Sequence, residues 1–244
     1  MRKMWDSLIS RGHGLASSLF SAIYPSTCPL CKNSADTFLY APICTRCWES
    51  MARYSGPSCR VCATPLVSEY STLCGECLFH PPPFSMVLNF GLYSGSLSEA
   101  IHLLKFSGLK RLAKPLGRLL TELPIPPMDG IVPVPVTNRT LRTRGFNQAL
   151  LLSVVLSRHI RIPVYMDMLY KKRDTPAQIG LGAKERARNL KNAFEVRGKL
   201  HNPRLLLLDD VMTTGATVKE CAKTLVKSGA QEVVAVTLAR SMRD

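Results

Sequence analysis

Four leucines followed by two aspartates, Leu205 to Asp210, constrain the fold more than any other stretch of the sequence. Such a run suits a parallel β-strand covered on both faces. Pro203 just upstream disfavours a helix entering it. Asp209 and Asp210 then sit at the strand's carboxyl end, the edge where open α/β sheets bind ligands. The turn VMTTGAT follows, and TVKECAKTLVKSG reads as a helix. Ala222, Leu225 and Val226 lie on one face of it, lysines on the other, and Gly229 stops it. Thr213, Thr214, Gly215, Ala216 and Thr217 therefore wrap a helix N-terminus, where backbone N–H groups and the positive dipole end meet. A phosphate monoester fits that cradle. The adjacent carboxylates can accept hydrogen bonds from vicinal hydroxyls, as on a ribose. The bland alternative is a strand–turn–helix with a threonine cap, but two adjacent acids at a sheet edge are costly without a ligand. No Gly-Lys-Ser/Thr is present, so the turn is not a Walker A loop.

The stretch resembles the phosphoribosyl pyrophosphate (PRPP) signature of type I phosphoribosyltransferases along its whole length. The resemblance implies that Asp209 and Asp210 bind the ribose 2′ and 3′ hydroxyls and that Thr213 to Thr217 bind the 5′-phosphate. One departure matters. Hypoxanthine–guanine-type enzymes carry an acid where Thr213 stands, so purine salvage is disfavoured.

Eight of the nine cysteines form four CxxC pairs: Cys28/Cys31, Cys44/Cys47, Cys59/Cys62 and Cys74/Cys77. The pairs are separated by 12, 11 and 11 residues, which makes an internal repeat. Each CxxC turn aims two thiolates at one point, and two turns complete a tetrahedron around Zn²⁺. Cys28 to Cys77 holds few large apolar residues, so metal must supply much of its stability. Two sequential ribbons are expected, Cys28, Cys31, Cys44, Cys47 and then Cys59, Cys62, Cys74, Cys77; a cross-braced pairing stays open. Cysteine-only sites leave no vacant position, so both zinc ions read as structural. Cys221 stands apart and reads as a small buried residue.

The chain has 244 residues and a net charge of +15. Residues 86–200 hold 19 Lys/Arg against 7 Asp/Glu, so polyanion binding is to be sought there. No window is apolar enough for a membrane span, and the basic N-terminal stretch lacks a clean apolar core or cleavage site. An amphipathic helix over Leu15–Tyr24 and a cytoplasmic protein are expected. The stiff linker HPPPF gives three parts: an N-terminal helix in 1–27, the double ribbon in 28–83, and an α/β domain in 84–244.

In that domain MVLNFGLY reads as a strand and SLSEAIHLLKF as an amphipathic helix with Ile101, Leu104 and Phe106 near one side. KRLAKPLGRLLTEL reads as a second helical segment broken before Pro115. IVPVPV is a short buried strand, TNRTLRTRG a basic loop and FNQALLLSVVLSRHI a helix. Arg139, Arg142 and Arg144 crowd that loop. A second strand-end loop lies beside the first in a parallel sheet, and guanidinium forks suit a diphosphate.

The double ribbon, Pro82–Phe84, Tyr93 and Gly95, Leu104–Phe106, Pro133–Pro135, Arg144–Gln148 and Asp209–Thr217 occur in the order found in the ComF family, which the chain resembles from about Cys28 to Leu238. The resemblance implies a type I phosphoribosyltransferase-like parallel sheet flanked by helices behind an N-terminal double zinc ribbon. It also implies that Val134, Pro135, Val136, Thr137, Asn138 and Arg139 form the pyrophosphate loop. Leu169–Phe194, with Thr175, Pro176, Gln178, Leu181, Arg186 and Asn189, matches a family stretch taken as the loop folding over PRPP. From it Lys171, Lys172, Arg173 or Arg186 would reach the diphosphate; Arg173 and Arg186 are the catalytic candidates beside Asp209 and Asp210. Mg²⁺ would accompany PRPP, and the acceptor is unknown. Single-stranded DNA and other competence proteins are the further partners implied. Three classes therefore stand side by side: a phosphoribosyltransferase, a non-catalytic single-stranded DNA-binding protein, and a PRPP sensor.

The cysteine repeat predicts about two Zn²⁺ per chain, with Zn–S bonds near ~2.3 Å. Elemental analysis of protein purified without chelator should find them. Less than one per chain, with folding unchanged in strong chelator, would contradict the reading.

Overall fold

The computed structural model describes residues 27–37, 40–173 and 183–242, apart from the side chains at 183, 184, 186 and 187. The helix expected over Leu15–Tyr24 lies outside the described residues.

The cysteine repeat is a structural repeat. In each half, the first CxxC turn is closed by the first cysteine's own backbone: Cys28 N donates to Asn33 O at 2.7 Å, and Cys59 N to Thr64 O at 2.8 Å. In each half a five-residue helix starts directly after the third cysteine and carries the fourth. These are α1, Thr45–Glu49, and α2, Gly75–Phe79.

After the linker come β1, Met86–Leu92, and α3, Gly95–Phe106. A 3-10 turn leads to α4, Ala113–Leu119. Pro115 falls in the first turn of α4, where its missing N–H has no helical partner to lose. The expected break before it is therefore absent, and 3-10 turns mark the two ends instead. Then follow β2, Gly130–Pro133, α5, Asn138–Arg144, and α6, Gln148–Ile160. The expected basic loop is largely helix α5. Thr137 Oγ1 accepts a bond from Thr140 N at 3.0 Å to start it, and Gly145 at φ 78° ends it. A small hairpin, β3 at Leu169–Lys171 and β4 at Phe194–Val196, flanks α7, Ala183–Leu190. The chain ends on β5, Arg204–Met212, α8, Ala216–Lys227, and β6, Glu232–Arg240.

The main sheet has the order β1-β6-β5-β2, all parallel. Pleat alternation sorts its side chains into two cores. Leu206, Leu208, Val234, Val236 and Phe90 pack with α3, α4, α6 and the first ribbon's Cys28, Cys44 and Trp48. Leu205, Leu207, Val233 and Ala235 pack with α8 and the second ribbon's Cys59, Cys62 and Cys77. Each ribbon thus joins the core on one face of the sheet. The tool for this is the edge strand β1 and its neighbourhood: Tyr54 N donates to Phe90 O at 2.9 Å, and Val87 N to Val61 O at 2.8 Å. Phe106 does not follow Ile101 and Leu104 inward; it is 55% exposed.

Candidate functional site

Strand β5 runs two residues past its acids, to Met212, so the turn is shorter than its sequence implies. Gly215 stands at φ 79°, the left-handed region, and a Cβ there would lie 2.4 Å from Met212 Cε. Only glycine allows that reversal without displacing Met212. Lys219 N donates to Gly215 O at 2.8 Å as α8 begins. The first-turn amides of such a helix face the turn.

Strand β2 pairs with β5 in register Pro133 to Leu208, and Val134 N donates to Leu208 O at 2.8 Å. Val134, Pro135, Val136 and Thr137 therefore leave the sheet beside Asp209. Asn147 holds this exit: its Nδ2 donates to Val134 O at 3.0 Å while its Oδ1 accepts from Ala149 N at 2.9 Å, capping α6. Asn138 and Arg139 are exposed in the first turn of α5, and Arg144 lies at its end.

The two acids are not equivalent. Successive residues of a strand face opposite ways. Asp210 shares its parity with Leu206 and Leu208, facing α3 and α6. It is 2% exposed, and Lys105 Nζ lies 3.0 Å from its Oδ2 and 3.3 Å from its Oδ1. Gln148 also lowers its pKa, and Gln148 Oε1 accepts from Arg144 Nη1 at 2.6 Å. Burial pushes the Asp210 carboxyl up, but the Lys105 ammonium and these hydrogen bonds outweigh it, so its pKa falls below the ordinary value. Asp209 is the opposite case: burial, then the Asp210 charge, push it well above the carboxylate range. Its Oδ1 accepts from Asp210 N at 2.9 Å. The two carboxyls therefore differ in how readily they ionise, Asp210 more readily and Asp209 less.

The double zinc ribbon domain family matches residues 19–78. The DNA utilization protein YhgH of Escherichia coli (strain K12) is 35% identical over 228 residues, 89% of this chain and 98% of the relative. Competence protein F of Haemophilus influenzae is 34% identical over 212 residues, 82% of this chain and 90% of the relative. The chain belongs to the ComF family. Solved structures give weaker likenesses. The Bacillus subtilis glutamine PRPP amidotransferase complexed with ADP and GMP matches at TM-score 0.40 and 19% identity, over 56% of this chain but only 30% of that one. A purine phosphoribosyltransferase from Pyrococcus horikoshii Ot3 matches at TM-score 0.33 and 20% identity, over 62% of this chain and 77% of that one. Scores of that size carry no argument about function. The expected parallel sheet flanked by helices behind a double zinc ribbon stands.

The ComF cysteines pair sequentially, Cys28, Cys31, Cys44 and Cys47 in one group and Cys59, Cys62, Cys74 and Cys77 in the other; within each group the Sγ atoms lie within 4.8 Å of one another. Cys31 and Cys44 Sγ are 3.5 Å apart, and Cys62 and Cys74 Sγ 3.6 Å. Thiolates around one Zn²⁺ at ~2.3 Å are about 3.8 Å apart, so the donor sets fit the metal. Burial raises the Cys28 thiol, but amides of Cys31, Cys44 and Leu30 outweigh it and bring it to about 7. Amides of Cys62, Cys74 and Val61 do the same for Cys59, also about 7. Such thiols surrender protons readily to a metal.

Lys172 and Arg173 make contacts with β4 and the end of α7. Arg173 donates from Nη2 to Asn189 O at 3.0 Å and to Lys191 O at 2.8 Å, so it closes the end of α7. Lys172 pairs with Glu195 at 3.7 Å, on the hairpin. Residues 174–182 and the Arg186 side chain lie outside the described residues. Cys221 is buried, as expected. Lys105 and Gln148 were legible only as letters of LKF and RGFNQ; nothing in their spacing assigns them to Asp210.

The asymmetry has a measurable consequence. Asp210, with a lowered folded pKa, contributes stability above the ordinary carboxylate range that is lost as pH falls through its folded value. Asp209, with a raised one, contributes stability below that range that is lost as pH rises through its folded value. Urea unfolding at neutral pH should therefore find Asp210→Asn destabilised by roughly 1.5–3 kcal/mol, since Lys105 loses its charged partner. Asp209→Asn should be at least as stable as the unsubstituted protein. Equal losses in both would contradict the assignment.

Proposed function

We propose that this protein binds PRPP at the carboxyl ends of β5 and β2 and transfers its phosphoribosyl group to a nucleophilic acceptor. The observation carrying this is the register that sets Val134–Thr137 beside Asp209, next to a turn and helix start suited to a phosphate. Asp209 and Asp210 take the ribose hydroxyls, Thr213 to Thr217 take the 5′-phosphate, and Val134 to Arg139 with Arg144 take the diphosphate. Mg²⁺ bound with PRPP would neutralise part of that charge. In the transfer the anomeric C–O bond to pyrophosphate breaks, and pyrophosphate leaves with the electron pair. The acceptor's lone pair forms the new bond at that carbon, and the acceptor gives up a proton. Little covalent help is needed, so positioning and charge stabilisation dominate. Thiolate zinc sites suit a reducing compartment, which supports a cytoplasmic location. Among the described residues, no helix is long and apolar enough to cross a membrane.

A second reading rests on charge. Lys110, Arg111, Lys114 and Arg118 are all exposed along one helical stretch, and two relatives are named for DNA utilization and competence. Single-stranded DNA would bind there without base readout. Lys105 does not belong with this group, because Asp210 engages it.

Calorimetry with Mg²⁺ and PRPP separates the readings. Asp209→Asn with Asp210→Asn should abolish binding, the lost charged hydrogen bond of Asp210 alone weakening it by roughly 1.5–3 kcal/mol. Undiminished affinity would place the ribose elsewhere. Replacing Lys110, Arg111 and Lys114 with Ala should leave PRPP affinity intact and flatten the salt dependence of DNA binding, whose slope is about −0.7 per phosphate neutralised. Wild-type DNA binding in that variant would reduce the surface to a solvated face.

A further inference from the structure

A buried guanidinium joins the second zinc knuckle to the turn between β5 and α8, and the chemistry above makes no use of it. Arg240 ends β6 and is 0% exposed. Its Nη1 donates to Met212 O at 2.9 Å and also to Thr213 O. Its Nη2 donates to Thr64 Oγ1 at 2.8 Å. Thr64 Oγ1 in turn lies 3.0 Å from Cys62 Sγ, a sulfur of the second cysteine group. A separate tie reaches the other side of the turn. Lys219, in the first turn of α8, places Nζ 2.7 Å from Oε1 of Glu76, which stands between Cys74 and Cys77. Among the described residues, side-chain bonds next to the first knuckle go elsewhere: Ser50 Oγ to Ser96 Oγ at 2.7 Å and Arg53 Nη1 to Glu122 O at 3.1 Å.

The metal decides the polarity of this chain. A zinc-bound cysteine is a thiolate, which can only accept. Thr64 must then donate its proton to Cys62 sulfur, leaving its oxygen lone pairs for Arg240. Four thiolates around Zn²⁺ also leave a net charge of about −2 close to a guanidinium that burial would otherwise penalise. We infer that the second zinc knuckle, acting through Thr64 and Arg240, is a positioning device that holds the Thr213–Ala216 turn in its anion-binding shape, and that the first knuckle has no such role. The effect on PRPP affinity rests on the proposed function; the tether itself can be observed without PRPP.

Thr64→Val in the full zinc-loaded chain removes the hydroxyl and keeps the shape, whereas Thr64→Ser keeps the hydroxyl. Hydrogen exchange followed by mass spectrometry, with zinc content measured in parallel, reads the turn directly. Thr64→Val should retain both zinc ions and exchange about tenfold faster in peptides covering 211–217, with 30–46 unchanged, as expected for one lost hydrogen bond. Thr64→Ser should exchange at the wild-type rate. Affinity for Mg²⁺ and PRPP should fall about tenfold in the first variant and recover in the second. Wild-type exchange at 211–217 in Thr64→Val would overturn the inference. So would loss of a zinc ion in that variant, because the hydroxyl would then serve the metal site itself. If the wild-type protein binds no PRPP while Thr64→Val still loosens the turn, the tether stands and the proposed function falls.

Discussion

Two carboxyl groups on consecutive residues of a buried strand cannot both carry charge cheaply, and the structure is arranged around that fact. Pleating sends Asp209 and Asp210 to opposite faces of β5, so each meets a different set of neighbours. On the α3 and α6 face, Lys105 and Gln148 keep Asp210 ionised. Arg144 then orders Gln148 from behind. At Asp209, burial and the Asp210 charge outweigh the Lys105 charge, so its pKa is raised. The LKF and RGFNQ segments therefore serve the acids rather than forming separate sites.

Zinc takes the place of apolar mass in the N-terminal third. The ribbons contribute cysteines and few large apolar side chains, Ile43, Trp48 and Met51, to the two cores, each ribbon to its own face of the sheet. The second ribbon does more than cover apolar surface. Its contacts through Thr64 and Glu76 fall on both sides of the glycine turn, at the point where backbone conformation matters most. Metal site and anion site are thus neighbours in space although about 140 residues separate them in sequence.

Much of this was legible in the sequence because it depends on local pattern. The apolar run before Asp209 gave β5, the CxxC repeat gave two four-cysteine sites but left their pairing open, and Thr213–Gly215 gave the turn into α8. What was not legible depends on capping or on distant partners. The basic stretch after Thr137 reads as a loop by composition, yet a threonine cap and a left-handed glycine suffice to make it helix α5. Phe106 follows the helical period inward on paper but lies in the last turn of α3, where it is exposed. The Lys105–Asp210 pair spans 105 residues and no periodicity predicts it. Arg240 at the end of a β-strand looks like a surface cation until Thr64, Met212 and Thr213 are found around it.

The central claim is that the carboxyl end of β5 holds a ribose phosphate. A crystal structure of the protein with Mg²⁺ and PRPP tests it most directly. The account predicts the ribose diol within hydrogen-bond distance of Asp209 and Asp210, the 5′-phosphate on the amides and hydroxyls of Thr213–Thr217, and the diphosphate beside Val134–Thr137. Density for PRPP at any other place, with Lys105 and Asp210 still paired and the turn empty, would contradict it.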